Sequence, residues 1–351
     1  MDVNFTLKDV ISFKGQLITL AVTTLAIAYI FSGSLSEFRP SSKSSYVLQV
    51  TPEVIKKWGH EPAHVKTGFY WHEFINFDVV KNDFLINAII WFDFDPTKVK
   101  LEDIEKFSFT KGSIHQKSAP LVKKISDTLT YVEYNLRIQF NSIFDYSRFP
   151  LDDHKIYLNL INNSVDAQDV VYDVAPDDYV VPEYVFLGGW GIASHDAAAG
   201  YTQYLLSKDT KETKHPKILF SLGIKKQDFR ELLLLFLPVF FIFCFSILTL
   251  SPYFPSPMGS MLSLVTAFMA YTIVVAHMVP DVGYFILIDY LMLFLLLSIF
   301  VIFLINFLGA LPPEIFSKEK FEHIKSIAQI VICIALVIVS YYLANVFMLG
   351  A

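Results

Sequence analysis

The run Met258 to Val279, MGSMLSLVTAFMAYTIVVAHMV, constrains this chain more than any other stretch. It is long and apolar enough to cross a bilayer as a helix, since about 20 residues rising 1.5 Å each span the hydrocarbon. It is not apolar all round. Gly259, Ser263, Thr266, Ala270, Ile273 and His277 recur at steps of four and three, so they share one narrow helical face. That face is small and hydroxylated apart from Ile273 and His277. Met261, Leu264, Phe268, Val275 and Val279 make a bulky apolar face opposite. Lipid gives no stability to a polar stripe, so two accounts compete. Small residues let another helix approach closely, or several copies of the stripe surround water.

The other apolar runs are unevenly placed in the 351 residues, of which 54% are hydrophobic. One spans Leu17 to Phe31, and four crowd together after Glu231. A net charge of −6 without a basic patch argues against nucleic acid as a partner. The two cysteines, Cys244 and Cys333, both lie in apolar runs, so the polar middle of the chain has no disulfide. Residues 1–35 read as a signal peptide cleaved near Ser32-Gly33-Ser34, or as an uncleaved N-terminal membrane anchor. Either alternative exports the segment after it.

From about Ser36 to Asp228 the apolar period is two. Val132, Tyr134, Leu136, Ile138 and Phe140 alternate with polar residues, as do Ile218, Phe220, Leu222 and Ile224, and Ile156, Leu158 and Leu160. Asn82-Asp83 reads as a hairpin turn and Pro52 to Trp58 as a short helix. The segment 36–228 is therefore expected to be a β-sandwich. Segment 229–351 is expected to be a four-helix transmembrane bundle: Leu232 to Leu250 with Pro238 inside it, the striped helix, Tyr284 to Phe307, and Ile327 to Met348. Pro280-Asp281-Val282-Gly283 turns between the second and third. Lys318, Lys320 and Lys325 fall in the polar break before the last helix, which places that break in the cytoplasm and the β-domain outside an inner (plasma) membrane.

Particular residues then resemble a known family. SIFDYSRFPLDDHKI, Ser142 to Ile156, is similar to the signature loop of the pentameric ligand-gated ion channels, the Cys-loop receptor superfamily. Its centre is Phe149-Pro150-Leu151-Asp152. Ser142 and Ile156 stand where animal members carry the loop disulfide, a departure shared with prokaryotic members. VPDVGYFILID, Val279 to Asp289, resembles the link between the second and third helices. Pro238 matches the proline of the first helix, and Trp91-Phe92-Asp93 resembles the Trp-x-Asp of an early strand. The resemblance runs in order from about Val65 to Met348.

The resemblance implies a homopentameric ligand-gated channel whose striped helix lines the pore with Gly259, Ser263, Thr266, Ala270, Ile273 and His277. Thr266 stands where a gate leucine is common, which moves the apolar constriction to Ile273. Coupling is expected from Phe149, Pro150 and Asp152 of the loop, Pro280 and Asp281 of the link, and Lys226, which matches a basic residue that pairs with the loop aspartate. Ser256, between Pro255 and Pro257, stands where cation-selective members usually carry a glutamate, and this proline with Gly259 just beyond looks more like anion-selective members, although their basic residue is missing; the acidic composition favours cations by its field. Tyr131, Tyr134, Trp190 and Tyr201 are the aromatic candidates for an agonist pocket, set against plain core packing. The capping loop Ser207 to Pro216 has no aromatic. The expected partners are permeant monovalent ions, membrane lipids and a small-molecule or ionic agonist. No nucleophile elbow, zinc spacing or phosphate loop occurs, so neither an enzyme, a metal site nor a cofactor is expected. The rival reading is a non-conducting membrane receptor or sensor on the same fold.

Overall fold

The computed structural model describes residues 13–32, 46–142, 144–185, 187–204, 212–227, 229–251, 254, 256–312 and 318–349. The chain divides into two compact units. One holds residues 39–145 and 153–227, and the other holds 1–38, 146–152 and 228–351.

The first unit is a β-sandwich. Its strands are β1 (Ala63–Asp78), β2 (Asp83–Phe94), β3 (Ser108–Thr110), β4 (Gly112–Lys117), β5 (Leu121–Ser126), β6 (Leu129–Phe140), β7 (His154–Ile161), β8 (Val170–Asp173), β9 (Tyr179–Val180), β10 (Trp190–Tyr204) and β11 (Thr213–Lys226). One sheet runs β4-β6-β2-β1-β8, with β5 also on β6 and β9 on β1. The other runs β10-β11-β7-β3. Burial alternates strictly along β2 and nearly so along β6, as the period of two requires. Aromatic rings fill the interior: Phe69 of one sheet meets Phe220 of the other at 4.9 Å between centroids. The Trp71 indole N–H donates to Tyr179 Oη at 3.0 Å, which satisfies two polar atoms inside that core.

A helix α1 (Phe13–Ser32) belongs to the second unit, whereas α2 (Pro52–Trp58) and α3 (Leu101–Ile104) belong to the sandwich. Thr51 caps α2 and Gly59 ends it at φ 86°, so the short helix falls where the sequence puts it. The turn between β1 and β2 ends on Asn82, at φ 54°, also as expected.

The second unit is helical: α1, then α4 (Phe229–Leu248), α5 (Pro257–Met278), α6 (Leu287–Gly309) and α7 (Lys318–Leu343), the last running into a π-helical stretch, Ala344–Leu349. α5, α6 and most of α7 are long and apolar enough to cross a membrane, while α1 and α4 contain shorter apolar stretches. α1 packs along α7, and α4, α5 and α6 pack on one another. Two boundaries differ from the sequence reading. α6 starts at Leu287 instead of Tyr284, because the Tyr284 hydroxyl is bonded to Tyr146 in another segment and Ile286 stands outside the helix as its N-cap. α7 starts at Lys318, nine residues earlier than Ile327, since Phe321 and Lys325 are buried on its inner face. The Lys325 ammonium lies 5.0 Å from the Phe321 ring centroid, so this lysine is a packed helical residue and not part of a loop. Gly309 lets the Phe321 ring lie against α6, where any Cβ would collide with it.

Gly68 plays a similar part in the sandwich. The Trp91 indole lies flat across it, and a Cβ there would run into the ring. Gly68→Ala should displace the indole and cost about 1–3 kcal/mol. Tryptophan emission shifted to the red, with a lower melting midpoint, is the expected result.

Candidate functional site: the outward face of α5 and the loop at the start of α6

α5 begins after Ser256, whose φ of 52° is left-handed, with Pro257 as its first residue. Met261, Phe268 and Val275, spaced by seven, form its buried seam, and Leu264 and Val279 are half-buried beside them. Gly259, Ser263, Thr266, Ala270, Ile273 and His277 all lie on the opposite side and are exposed in the single copy, Ile273 to 62%. The other helices give a like-for-like comparison. At the same steps of four and three, α6 exposes Leu293, Leu297, Phe300 and Leu304, and α7 exposes Ile327, Val331, Ile334 and Ile338. Those faces suit hydrocarbon. α5 shows Ser263, Thr266, Ala270 and Ile273 instead, and only the last is a residue lipid would select.

The hydroxyls on this face bond back to their own helix. Ser263 Oγ donates to the Gly259 carbonyl at 3.2 Å and Thr266 Oγ1 to the Leu262 carbonyl at 3.0 Å. Their oxygen lone pairs remain on the exposed side as acceptors.

The loop between β6 and β7 splits between the units. Residues 146–152 belong to the helical unit, while the flanking strands belong to the sandwich. Within the helical unit, the Tyr146 N–H donates to Tyr284 Oη at 2.9 Å, and the Leu287 N–H donates to the Ser147 carbonyl at 2.9 Å. Two main-chain groups of the loop are thus fixed at the entry to α6. The Ile286 N–H donates to the Asp289 carboxylate at 2.9 Å, a cap on the same helix start. Phe149 and Asp152 are buried, and the Phe149–Pro150 bond is cis. Leu151 reaches an apolar hollow of about 280 Å3 lined by α4, α6, α7 and Ile27 of α1. Pro280 is buried and Asp281 exposed in the link after α5. The Tyr157 N–H donates to Ser142 Oγ at 3.3 Å, and Ile156 is fully buried, at the positions where a disulfide stands in animal members of the resembled family.

The aromatic candidates do not converge within one copy. Trp190 starts β10 with the Lys226 ammonium 5.6 Å from its ring and the His154 ring lying against it at 5.6 Å. Tyr201, near the far end of the same strand, packs edge-on against Trp58 at 5.7 Å. Tyr134 is a core residue; burial pushes its phenol up to about 12, and the Lys117 ammonium sits 4.5 Å from its ring. Tyr131 faces outward, stacks on Trp91 at 6.0 Å and donates to Glu133 Oε2 at 2.7 Å. Burial raises the Asp93 carboxyl in the Trp-x-Asp motif, with Lys66 opposing that shift and Asp178 adding to it. The capping loop at 207–211 and Pro255 lie outside the described residues.

No family model matches the chain. A proton-gated ion channel from Gloeobacter violaceus is 27% identical over 201 residues, which cover 52% of this chain and 54% of that protein. The chain thus spans about half the length of the curated relative it matches. An apolar helical unit and a channel relative together identify an integral membrane protein with transmembrane helices.

Sequence reasoning missed Tyr284 and Asp289 as site residues, although both lie in the link that resembles the channel family. Their partners are a main-chain N–H more than a hundred residues away and a helix start misplaced by three, neither of which leaves a local signal. Tyr284→Phe removes the acceptor of the Tyr146 N–H and should cost about 1–3 kcal/mol, as expected for an orphaned, half-buried donor. Thermal unfolding of the purified protein reads this loss directly.

Proposed function

We propose that the chain is one subunit of a homopentameric, ligand-gated, cation-conducting channel of the Cys-loop receptor superfamily, of the prokaryotic type without the loop disulfide. The observation that carries this reading is the outward face of α5. It alone, among the outward faces of α5, α6 and α7, presents hydroxyls and small residues where the others present Leu, Phe, Ile and Val. One helix cannot enclose water, so a polar outward face requires a ring of copies. The relative supports channel activity, and its gating by protons makes acidification the first stimulus to test on this chain.

In that ring, Ser263 and Thr266 present hydroxyl oxygens to a permeating cation, and Ala270 leaves the lumen wide. Ile273 forms the apolar constriction one turn below His277, and water leaves such a ring when it is narrow. A charge of −6 per chain attracts cations to the mouth. The sandwich, outside the membrane, receives the stimulus. Its loop at 146–152, tied to the start of α6, passes the movement to the helices, with Pro280 and Asp281 in the adjoining link. The break before α7 faces the cytoplasm. Neither the agonist pocket nor any catalytic chemistry enters this reading.

Two measurements test it. The purified protein in mild detergent should give a native mass of five chains; a species that stops at the dimer sinks the ring. Reconstituted in planar bilayers, Ile273→Ser should hydrate the constriction and pass current without a stimulus, at least about tenfold above the parent, as expected when a dewetted gate is made polar. Silent Ile273→Ser channels that still open on stimulation would move the gate elsewhere.

A further inference from the structure

α1 (Phe13–Ser32) is 20 residues long, about 30 Å at 1.5 Å per residue, which matches the thickness of the hydrocarbon. Its two sides are arranged in the reverse of the sense usual for a helix in water. Ile18, Val22, Leu25 and Tyr29, at steps of four, three and four, form an apolar face that is exposed, Leu25 to 69% and Tyr29 to 82%. The other side is the polar one, and it is buried: Gln16 is 2% exposed and Thr23 7%. Lipid accepts the first face and rejects the second, so the polar side needs a protein partner.

That partner is α7. The Thr23 hydroxyl gives its proton to the Thr19 carbonyl at 2.8 Å and is hydrogen-bonded to the Cys333 thiol, which is left to donate. Further along both helices, Ile27 of α1 and Leu336 and Ser340 of α7 line the same apolar hollow. The two contacts advance in the same chain direction, so α1 and α7 run parallel. On α7, Ser326 and Ser340 stand seven residues either side of Cys333, on one line along the helix, and all three are buried. On α1, Gln16 stands seven residues before Thr23, which sets it level with Ser326. Gly15 and Thr19, at steps of four before Thr23, keep the seam narrow enough for the backbones to approach. The Gln16 amide has no hydrogen-bond partner among the described residues, and hydrocarbon would offer it none. Stripped of α1, α7 would turn the line of Ser326, Cys333 and Ser340 to lipid.

We propose that α1 is a fifth membrane helix of the mature subunit, retained after export and docked parallel on α7 through this polar seam, and not a signal removed near Ser32-Gly33-Ser34. It covers the polar line of α7 and turns its own apolar face outward. Parallel packing agrees with the proposed topology: with α7 rising from the cytoplasm, α1 rises from it too, and the sandwich follows on the far side. The seam exists whether or not the chain conducts ions, so it stands apart from the channel reading.

Retention and docking are read separately. The full chain, tagged at its C-terminus, is purified from membranes and weighed intact. Its mass should include residues 13–32, and a chain that begins near residue 33 overturns the proposal. For docking, Thr23→Cys is made in a Cys244→Ser background, so that it faces the native Cys333. Threonine and cysteine are close in size, so this variant should fold as the parent does. Copper phenanthroline applied to membranes should join the two thiols within one chain, seen as the loss of two hydrogens and of maleimide labelling after denaturation. Leu25→Cys, on the lipid face, should give at least about tenfold less joined product, since its Cβ points away from α7. Equal joining in the two variants, no joining of Thr23→Cys, or joining between chains in its place overturns the docked seam.

Discussion

Hydrocarbon offers no hydrogen bonds, so every surface a membrane protein turns to lipid must be apolar and every backbone group must be satisfied within the chain. α6 and α7 meet this demand along their whole outward faces, from Leu293 to Leu304 and from Ile327 to Ile338. α5 buries a seam of Met261, Phe268 and Val275, and on its outward side Ser263, Thr266 and Ala270 depart from this demand beside an exposed Leu262, Met269, Ile273 and Val274. Ser263 and Thr266 do satisfy themselves against their own helix, which removes the energetic objection to either environment. It does not explain why Ser263, Thr266 and Ala270 stand on this face while the compared faces of α6 and α7 carry bulky residues throughout.

The proposed pore face needs something to move it, and the loop at 146–152 is the proposed candidate. Its ends continue into two strands of the sandwich, β6 and β7, while its first two residues, Tyr146 and Ser147, are bonded to the entry of α6 through main-chain groups. Backbone hydrogen bonds tie conformation to conformation, independent of side-chain charge. This makes Tyr284 and the turn at Ser147 as much a part of the proposed coupling as Asp152 and Lys226, the charged residues suggested by resemblance. Burial of Phe149, Leu151's access to the apolar hollow and the Asp289 cap all stiffen the same junction.

Much of the fold was legible because two periods are physically unambiguous. Alternation along Val132 to Phe140 and Ile218 to Ile224 gave strands, and long apolar runs gave helices. The face of α5 followed from spacing alone, and all six of its residues lie together on the outward side. Helix starts were misjudged wherever tertiary contact overrode local polarity: Phe321 and Lys325 draw α7 back into a polar segment, and Tyr284 holds the chain out of α6. The aromatic candidates could not be sorted by sequence, because β1, β2 and β6 carry rings on both faces, Tyr70, Trp91 and Tyr131 outward and Phe69, Phe92 and Tyr134 inward. The bulges at His72 in β1 and His115 in β4 were invisible for a related reason, because a one-residue insertion shifts which side every later residue faces without leaving a compositional trace.

Whether the stripe on α5 faces water can be tested one residue at a time by substituted-cysteine modification. After Cys244 and Cys333 are replaced by serine, single cysteines are placed at Ser263, Thr266, Ala270 and Ile273, and at Met261, Phe268 and Val275 as controls. A water-soluble, membrane-impermeant thiosulfonate is applied to channels in a bilayer while current is recorded. A water-lined stripe predicts that its positions react and lose current whereas the seam positions do not, in a pattern with helical period. Equal reaction at both sets, or none at the stripe, would contradict it.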